Sequence, residues 1–320
     1  MNALPKDSGL APGVYEGVSM ADYLAMPAAN ASLLNTLLER CPRAAWFDSW
    51  LNPKRAPEDS TPAQSVGTLA HELLLEGTRT KLQVIDPNDY PTKSTGNIPD
   101  GWTNKEIREA RGQALAAGMI PVFPKVAADV EAMVAEARSY LATLSSSEPA
   151  VHDLFQPGGG RSEVTIVWEE DGCLFRIRPD RLSDAICGDV KTTAASAEPG
   201  KWGRLQLFGM GYYVAAALYR RGILAATGKR VESVYLVQEQ SAPFLCSLVG
   251  LDPMAQQVGQ RKAERAIAVW KRCMKSGAWP GYPNRVAYPE VPPWEAAREE
   301  VEEAAGNPYD IEKFWQENKP

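Results

Sequence analysis

The sequence predicts a mixed α/β protein, a sheet flanked by helices without regular βαβ alternation. Three observations carry this. Helical spacing of apolar residues fills most of residues 1–150. At Ser162 the pattern changes to period two, and a short meander of strands follows. Beyond it, further strands are set off by long amphipathic segments. With 320 residues, 44% apolar and 23% charged, the chain can bury a large core and is too apolar to be disordered.

Residues 19–24 and 32–40 read as the first helices, the second with Ser32 as its cap. Residues 64–76 form a third, 104–117 a fourth capped by Asn104, and 124–144 a long fifth. The Pro/Gly/Asp-rich stretch 86–102 is an exposed loop, and 145–160 a connection ending in three glycines. No lysine and no helix start follow those glycines, so they make a hinge rather than a phosphate loop. Strands follow at 162–169, 173–178 and 185–191, the first two joined by the turn Asp171-Gly172. A helix at 201–221, strands at 231–240 and 244–250, and a helix at 252–276 complete the pattern. We therefore expect a helical part over 1–150, a sheet-bearing core over 151–285 and an acidic, aromatic-containing tail over 286–320, with one functional domain in all.

Several classes are excluded early. No run of about 18 apolar residues exists, so no membrane-spanning helix is expected. The start lacks a basic segment followed by an apolar run, so no secretory leader is expected either. Five cysteines (41, 173, 187, 246 and 273) without C-x-x-C spacing argue against disulfides and a zinc ribbon, and fit the cytoplasm. The net charge of −6 lies wholly in residues 290–320. Between Glu198 and Glu232 there is no acid but six bases, Arg204, Arg220 and Arg221 among them. Residues 261–275 are basic too. Two such stretches on a neutral body read either as solvated helix faces, which charge alone favours, or as a phosphate-binding face.

The chemistry centres on Arg176-Ile-Arg-Pro-Asp180 and Gly188-Asp-Val-Lys-Thr192. If a hairpin turns within Ser183-Asp184-Ala185, Asp180 and Asp189 lie opposite each other with Cβ atoms about 5 Å apart. Lys191, two residues on, shares their face. Two facing carboxylates call for a cation between them, and oxygen ligands select Mg²⁺ or Mn²⁺. A lysine beside it can position or deprotonate a water and stabilise charge on a phosphate. Glu163, at the start of the first strand, is a candidate further ligand or base.

Pro179-Asp180, eight residues, then Asp189-Val-Lys191 resembles the PD-(D/E)XK nuclease motif. Gly67-Thr-Leu-Ala-His71 is similar to the GxxxH helix of RecB-type nucleases. Ser162-Glu163-Val-Thr-Ile166 resembles their acidic first strand. Gln206, with Tyr212 and Tyr213 behind it, resembles the glutamine/tyrosine helix that follows the lysine strand. The whole arrangement, including Ala31–Pro42, most resembles the RecE-type exodeoxyribonuclease VIII family of phages and prophages, over about residues 13–275. The resemblance implies a restriction-endonuclease-like core and a metal-dependent double-stranded DNA exonuclease working 5′ to 3′. Other nucleases of the superfamily, or a non-catalytic DNA-binding protein on the same fold, are the alternatives. By resemblance, two Mg²⁺ ions sit among His71, Asp180, Asp189 and the Val190 carbonyl, and Lys191, Glu163 and Gln206 serve catalysis. Arg178, Arg204, Tyr212, Tyr213, Arg220 and Arg221 are expected to contact DNA. The resemblance further implies a ring-shaped homo-oligomer, a trimer or tetramer, and a single-strand annealing partner for recombination. Some relatives hold an iron–sulfur cluster on four cysteines, but no C-terminal cysteine triplet is present, so no cluster is expected.

Overall fold

The computed structural model describes residues 11–55, 61–93, 95–304 and 315–317. They fall into a compact unit ending at Pro280 and a small unit, Gly281–Pro320. The first unit opens with β1 (Gly13–Tyr15) and α1 (Met20–Ala25), whose cap Ser19 accepts from the Asp22 amide. The cap of α2 (Ala31–Glu39) is Asn30 rather than the expected Ser32. Asn30 Oδ1 accepts from the Leu33 amide at 3.0 Å, which leaves Ser32 inside the first turn. The two-turn α3 (Pro42–Asp48) is too short for helical periodicity to register in the sequence. α4 (Pro62–His71) starts earlier than expected because Thr61 and Gln64 close a capping box around Pro62. It runs on as a π-helical turn, Glu72–Glu76.

β2 (Leu82–Val84) and β3 (Ile120–Val122) form a separate parallel pair on either side of α5 (Lys105–Ala116), which Asn104 caps as expected. α6 (Pro124–Thr143) follows, and the short α7 (Pro149–Leu154) occupies part of the expected loop.

The expected meander is divided between two sheets. β5 (Thr165–Glu170) and β6 (Cys173–Ile177) join β1 in one antiparallel sheet. Their turn at Asp171-Gly172 has φ 49° and 78°, the conformation Asp-Gly favours. The other sheet contains β4 (Arg161–Ser162), β7 (Arg181–Leu182), β8 (Ile186–Thr193), β9 (Glu232–Glu239) and β10 (Cys246–Val249), in the order β10-β9-β8-β7-β4. Only β8 and β9 pair in parallel. The single helix expected over 201–221 is three pieces: α8 (Pro199–Trp202), a π-helical turn Gly203–Phe208, and α9 (Tyr212–Thr227). Gly211 makes the break, with φ 76° and a Cβ position 2.9 Å from Asn35 Nδ2. The long α10 (Pro253–Ser276) is capped by Asp252.

Helices cover both faces of the larger sheet. Cys187, Tyr235 and Val237 face α2, α9 and α10, in a core built around Trp202 and Trp270. Ile186, Val190 and Leu236 face α4, α6 and α7. Burial on both sides explains the apolar stretches Ile186–Cys187 in β8 and Val234–Val237 in β9. In the second unit, α11 (Pro293–Ala304) exposes Trp294 and Val301. Part of the expected acidic, aromatic-containing tail, residues 305–314 and 318–320, lies outside the described residues.

Candidate active site

The β7–β8 ladder pairs Arg181 with Gly188 and Leu182 with Cys187. One further step sets Asp180 opposite Asp189, the register the sequence suggested. The strand that partners β8 is the two-residue β7, however, because β6 belongs to the other sheet. The chain crosses between sheets over Arg178–Asp180, and both carboxylates are largely buried, with 21% and 19% of their side chains exposed. Asp180 Oδ2 accepts from the Val190 amide at 2.8 Å, and Asp180 Oδ1 lies 3.3 Å from His71 Nε2. On the other side, Asp189 Oδ2 is 2.7 Å from Lys191 Nζ. His71, Asp180, Asp189 and Lys191 thus form one continuous line.

Their charges are strongly coupled. Burial disfavours an ionised Asp180, yet the His71 imidazole and Lys191 hold it well below the usual carboxylate range. Asp189 goes the other way: burial and the Asp180 carboxylate push it up to about 8. Burial lowers Lys191, but the two carboxylates outweigh it and keep the ammonium protonated above its ordinary value. His71 is raised as well, since Asp180, Glu163 and Asp189 overcome its burial. Two carboxylates this close repel unless a cation or a proton lies between them.

His71 is set by how α4 ends. Gly67, one turn earlier, brings the helix close to β8; a Cβ there would stand 2.9 Å from Thr192 Oγ1. After His71 the helix widens to a π turn, and the carbonyls it frees find arginines. Leu73 O accepts from Arg138 Nη2 at 3.0 Å, and Leu75 O accepts from Arg181. The buried Arg181 immediately follows Asp180, so it ties the His71 turn to the strand beside that carboxylate. Glu72 locks the same turn by accepting from the Thr80 and Lys81 amides at 2.9 and 3.1 Å.

Asp189 and Lys191 open into a cavity of 150 Å³ walled by α2, α9 and β9. Tyr212 lines it, with Lys191 Nζ 5.4 Å from the ring centre. Tyr213 is buried in the core beneath Phe208, so the two candidate tyrosines separate cleanly and Tyr213 does not reach the cavity. Gln206 donates to Thr193 Oγ1 at the end of β8, beside the site. Tyr235 also lines the cavity and donates to the Tyr212 carbonyl at 2.9 Å. Sequence reasoning missed it; only the parallel register that sets it beside Asp189 reveals it.

Other expected residues lie elsewhere. Glu163 is near His71, with its backbone at φ 45°, and Arg178 pairs with it at 2.5 Å. Arg178 also donates to Val18 O and its side chain is only 9% exposed, so it braces Glu163. Arg221 is bound bidentate to Glu170, at 2.5 and 2.7 Å, and Arg220 donates to Gln256. Both also border an open pocket with Arg230 between α9 and α10. Arg204 is exposed, beside Gln206.

The donors suit a divalent cation. Nε2 of His71 is buried and makes no aligned hydrogen bond, and a carboxylate pair lies next to it. The set is not yet a cage: among the described residues no three His, Cys, Asp or Glu side chains surround one point. Asp189 is turned toward Lys191, and it would hold a divalent ion together with Asp180 and His71. Val190 enters the line through its amide, and its carbonyl is the main-chain donor on offer.

A split sheet carrying an Asp…Asp-x-Lys line under a histidine-bearing helix defines a PD-(D/E)XK-like protein. The family described as the PDDEXK-like domain of unknown function (DUF3799) matches residues 31–291, and the chain belongs to it. A crystal structure of a Eubacterium rectale protein, provisionally named an exonuclease, covers 94% of this chain and 100% of its own. Its TM-score is 0.53 at 11% identity, a likeness of fold alone. No curated protein matches the sequence.

Proposed function

We propose that this protein is a metal-dependent deoxyribonuclease that degrades linear double-stranded DNA from its ends, in the 5′ to 3′ direction. The observation that carries the reading is the line His71, Asp180, Asp189, Lys191, with a lysine and a paired carboxylate on one strand face. Mg²⁺ or Mn²⁺ bound by His71, Asp180, Asp189 and the Val190 carbonyl would supply Lewis-acid activation of the phosphate and its attacking water. Lys191, kept protonated by its neighbours, donates to the water or to a phosphate oxygen and stabilises the charge that develops there. Gln206 and Tyr212 flank that position and orient the strand. Glu163, braced by Arg178, adds negative charge next to His71.

The end-directed polarity, the recombination role, the phage origin, the ring-shaped homo-oligomer and the annealing partner all rest on the RecE-type resemblance. A cytoplasmic location agrees with the absence, among the described residues, of any helix long and apolar enough to cross a membrane. Product analysis tests the reading. Linear duplex labelled at the 5′ end should release labelled nucleotide at once in Mg²⁺, label at the 3′ end should be released late, and covalently closed circles should survive. Cutting of closed circles would make the protein an endonuclease.

A further inference from the structure

We propose that Leu205, Phe208 and Met210 form a ledge on which unpaired bases next to the scissile phosphate stack. This rests on the nuclease reading above and names the form of DNA the site holds. The three side chains are 60%, 48% and 57% exposed. They lie within one short stretch whose other apolar members, Trp202 and Leu207, are buried. The core therefore takes what it needs from this segment and leaves three apolar groups in solvent. The π-helical turn Gly203–Phe208 and the break at Gly211 set them there. π turns of this kind recur at functional sites because they re-aim side chains.

Two features identify the occupant. The segment is anchored beside the catalytic strand: Gln206, between Leu205 and Phe208, donates to Thr193 Oγ1 at the end of that strand, and Tyr212, two residues past Met210, lines the cavity. Its surroundings are also basic. Lys201 and Arg204 are exposed, no acid occurs between Glu198 and Glu232, and Asp252 is the one acid in the pocket that Arg204 and Phe208 border. Flat apolar groups on an anionic backbone match a surface of apolar groups among bases. A duplex hides its bases, so the matching partner is a frayed end or a single strand. The Phe208 ring is held 5.3 Å from Tyr213 and borders an open pocket shared with Arg204 and Val249, which gives a base room to stack. Apolar side chains of this sort also wedge between base steps.

The test compares a fluorescent mixed-sequence single strand with an abasic strand of equal length and charge. Anisotropy is read in Mg²⁺, on the full chain carrying Lys191→Ala so that the probes survive. With the ledge intact, the normal strand should bind roughly 5- to 150-fold more tightly than the abasic one for each base stacked. Phe208→Ala should close most of that gap and leave abasic binding unchanged. Leu205→Ala combined with Met210→Ala should narrow it too; this variant keeps the packing of Phe208 on Tyr213, so the test survives if Phe208→Ala does not fold. Equal affinity for the two strands with the ledge intact, or a gap untouched by both variants, overturns the proposal. So does a drop in sedimenting mass in either variant, which would assign the ledge to a second copy of the chain. Binding of neither probe by the ledge-intact protein would overturn the nuclease reading itself, and the ledge with it.

Discussion

Replacing Asp189 with Asn should stabilise the metal-free protein and make it insensitive to metal. In the folded chain burial and Asp180 push Asp189 up to about 8. In the unfolded chain it titrates near 3.9. Between those values the folded state holds a proton that the unfolded state has released. Stability from this group therefore falls as pH rises, by at most about 1.4 kcal/mol per pH unit, and stops falling above about pH 8. His71 is also raised, so its contribution is full below its unfolded value and is lost as pH climbs through the folded one. Asparagine mimics the protonated carboxyl and cannot ionise. In EDTA the variant's advantage over wild type should grow between about pH 5 and pH 8 by on the order of 1 kcal/mol per unit. Adding Mg²⁺ or Mn²⁺ at a hundredfold excess over Kd should stabilise the wild type by about 2.7 kcal/mol and leave the variant unmoved. Thermal melts across pH, with and without metal, read both effects. A variant whose stability tracks the wild type across pH, or which gains the same metal shift, refutes the reasoning.

Further substitutions separate positioning from packing. Gly67→Ala should cost about 1–3 kcal/mol and push His71 out of line, because the new Cβ meets Thr192 Oγ1, which also accepts from Gln240; metal-induced stabilisation measured by melting should fall more than stability does. Tyr213→Ala should lose about 3–5 kcal/mol as a core deletion, whereas Tyr212→Ala should melt much nearer wild type and lose cleavage, as parallel melts and rate assays would reveal. Arg221→Ala should destabilise by about 1–2 kcal/mol without changing the salt slope of DNA binding, since its partner is Glu170. Burial opposes the low Glu170 pKa that Arg221 enforces, so this pair's stability is present above the ordinary carboxylate value and is lost as pH falls through the folded one; acid titration of the two proteins should converge there.

Much of the chemistry was legible because it is local. Symmetry about a turn fixes which residues face each other, and that places Asp180 against Asp189 without any knowledge of the sheet. Strongly periodic helices such as α6 and α10 declare themselves, as does the Asn104 cap. What the sequence hid depends on partners far along the chain. The partners of Arg178, Arg220 and Arg221, namely Glu163, Gln256 and Glu170, come from 15 or more residues away and no local pattern announces them. β2 and β3 are three residues each and pair across an intervening helix, so neither carries a pattern. The break at Gly211 follows from the closeness of Asn35 on another helix. Asn30 outcompetes Ser32 as a cap by a register of two residues, a difference composition does not resolve.

The most direct measurement is phosphodiester cleavage of linear duplex DNA in Mg²⁺ by the wild type and by Lys191→Ala, with the same wild-type reaction in EDTA. The account predicts release of nucleotides by the wild type only with metal. It predicts a loss of about 10³-fold or more in Lys191→Ala, whose melting temperature still rises on adding Mg²⁺ because Asp180, Asp189 and His71 remain. Undiminished cleavage by a folded Lys191→Ala protein, or wild-type cleavage that persists in EDTA, would contradict it.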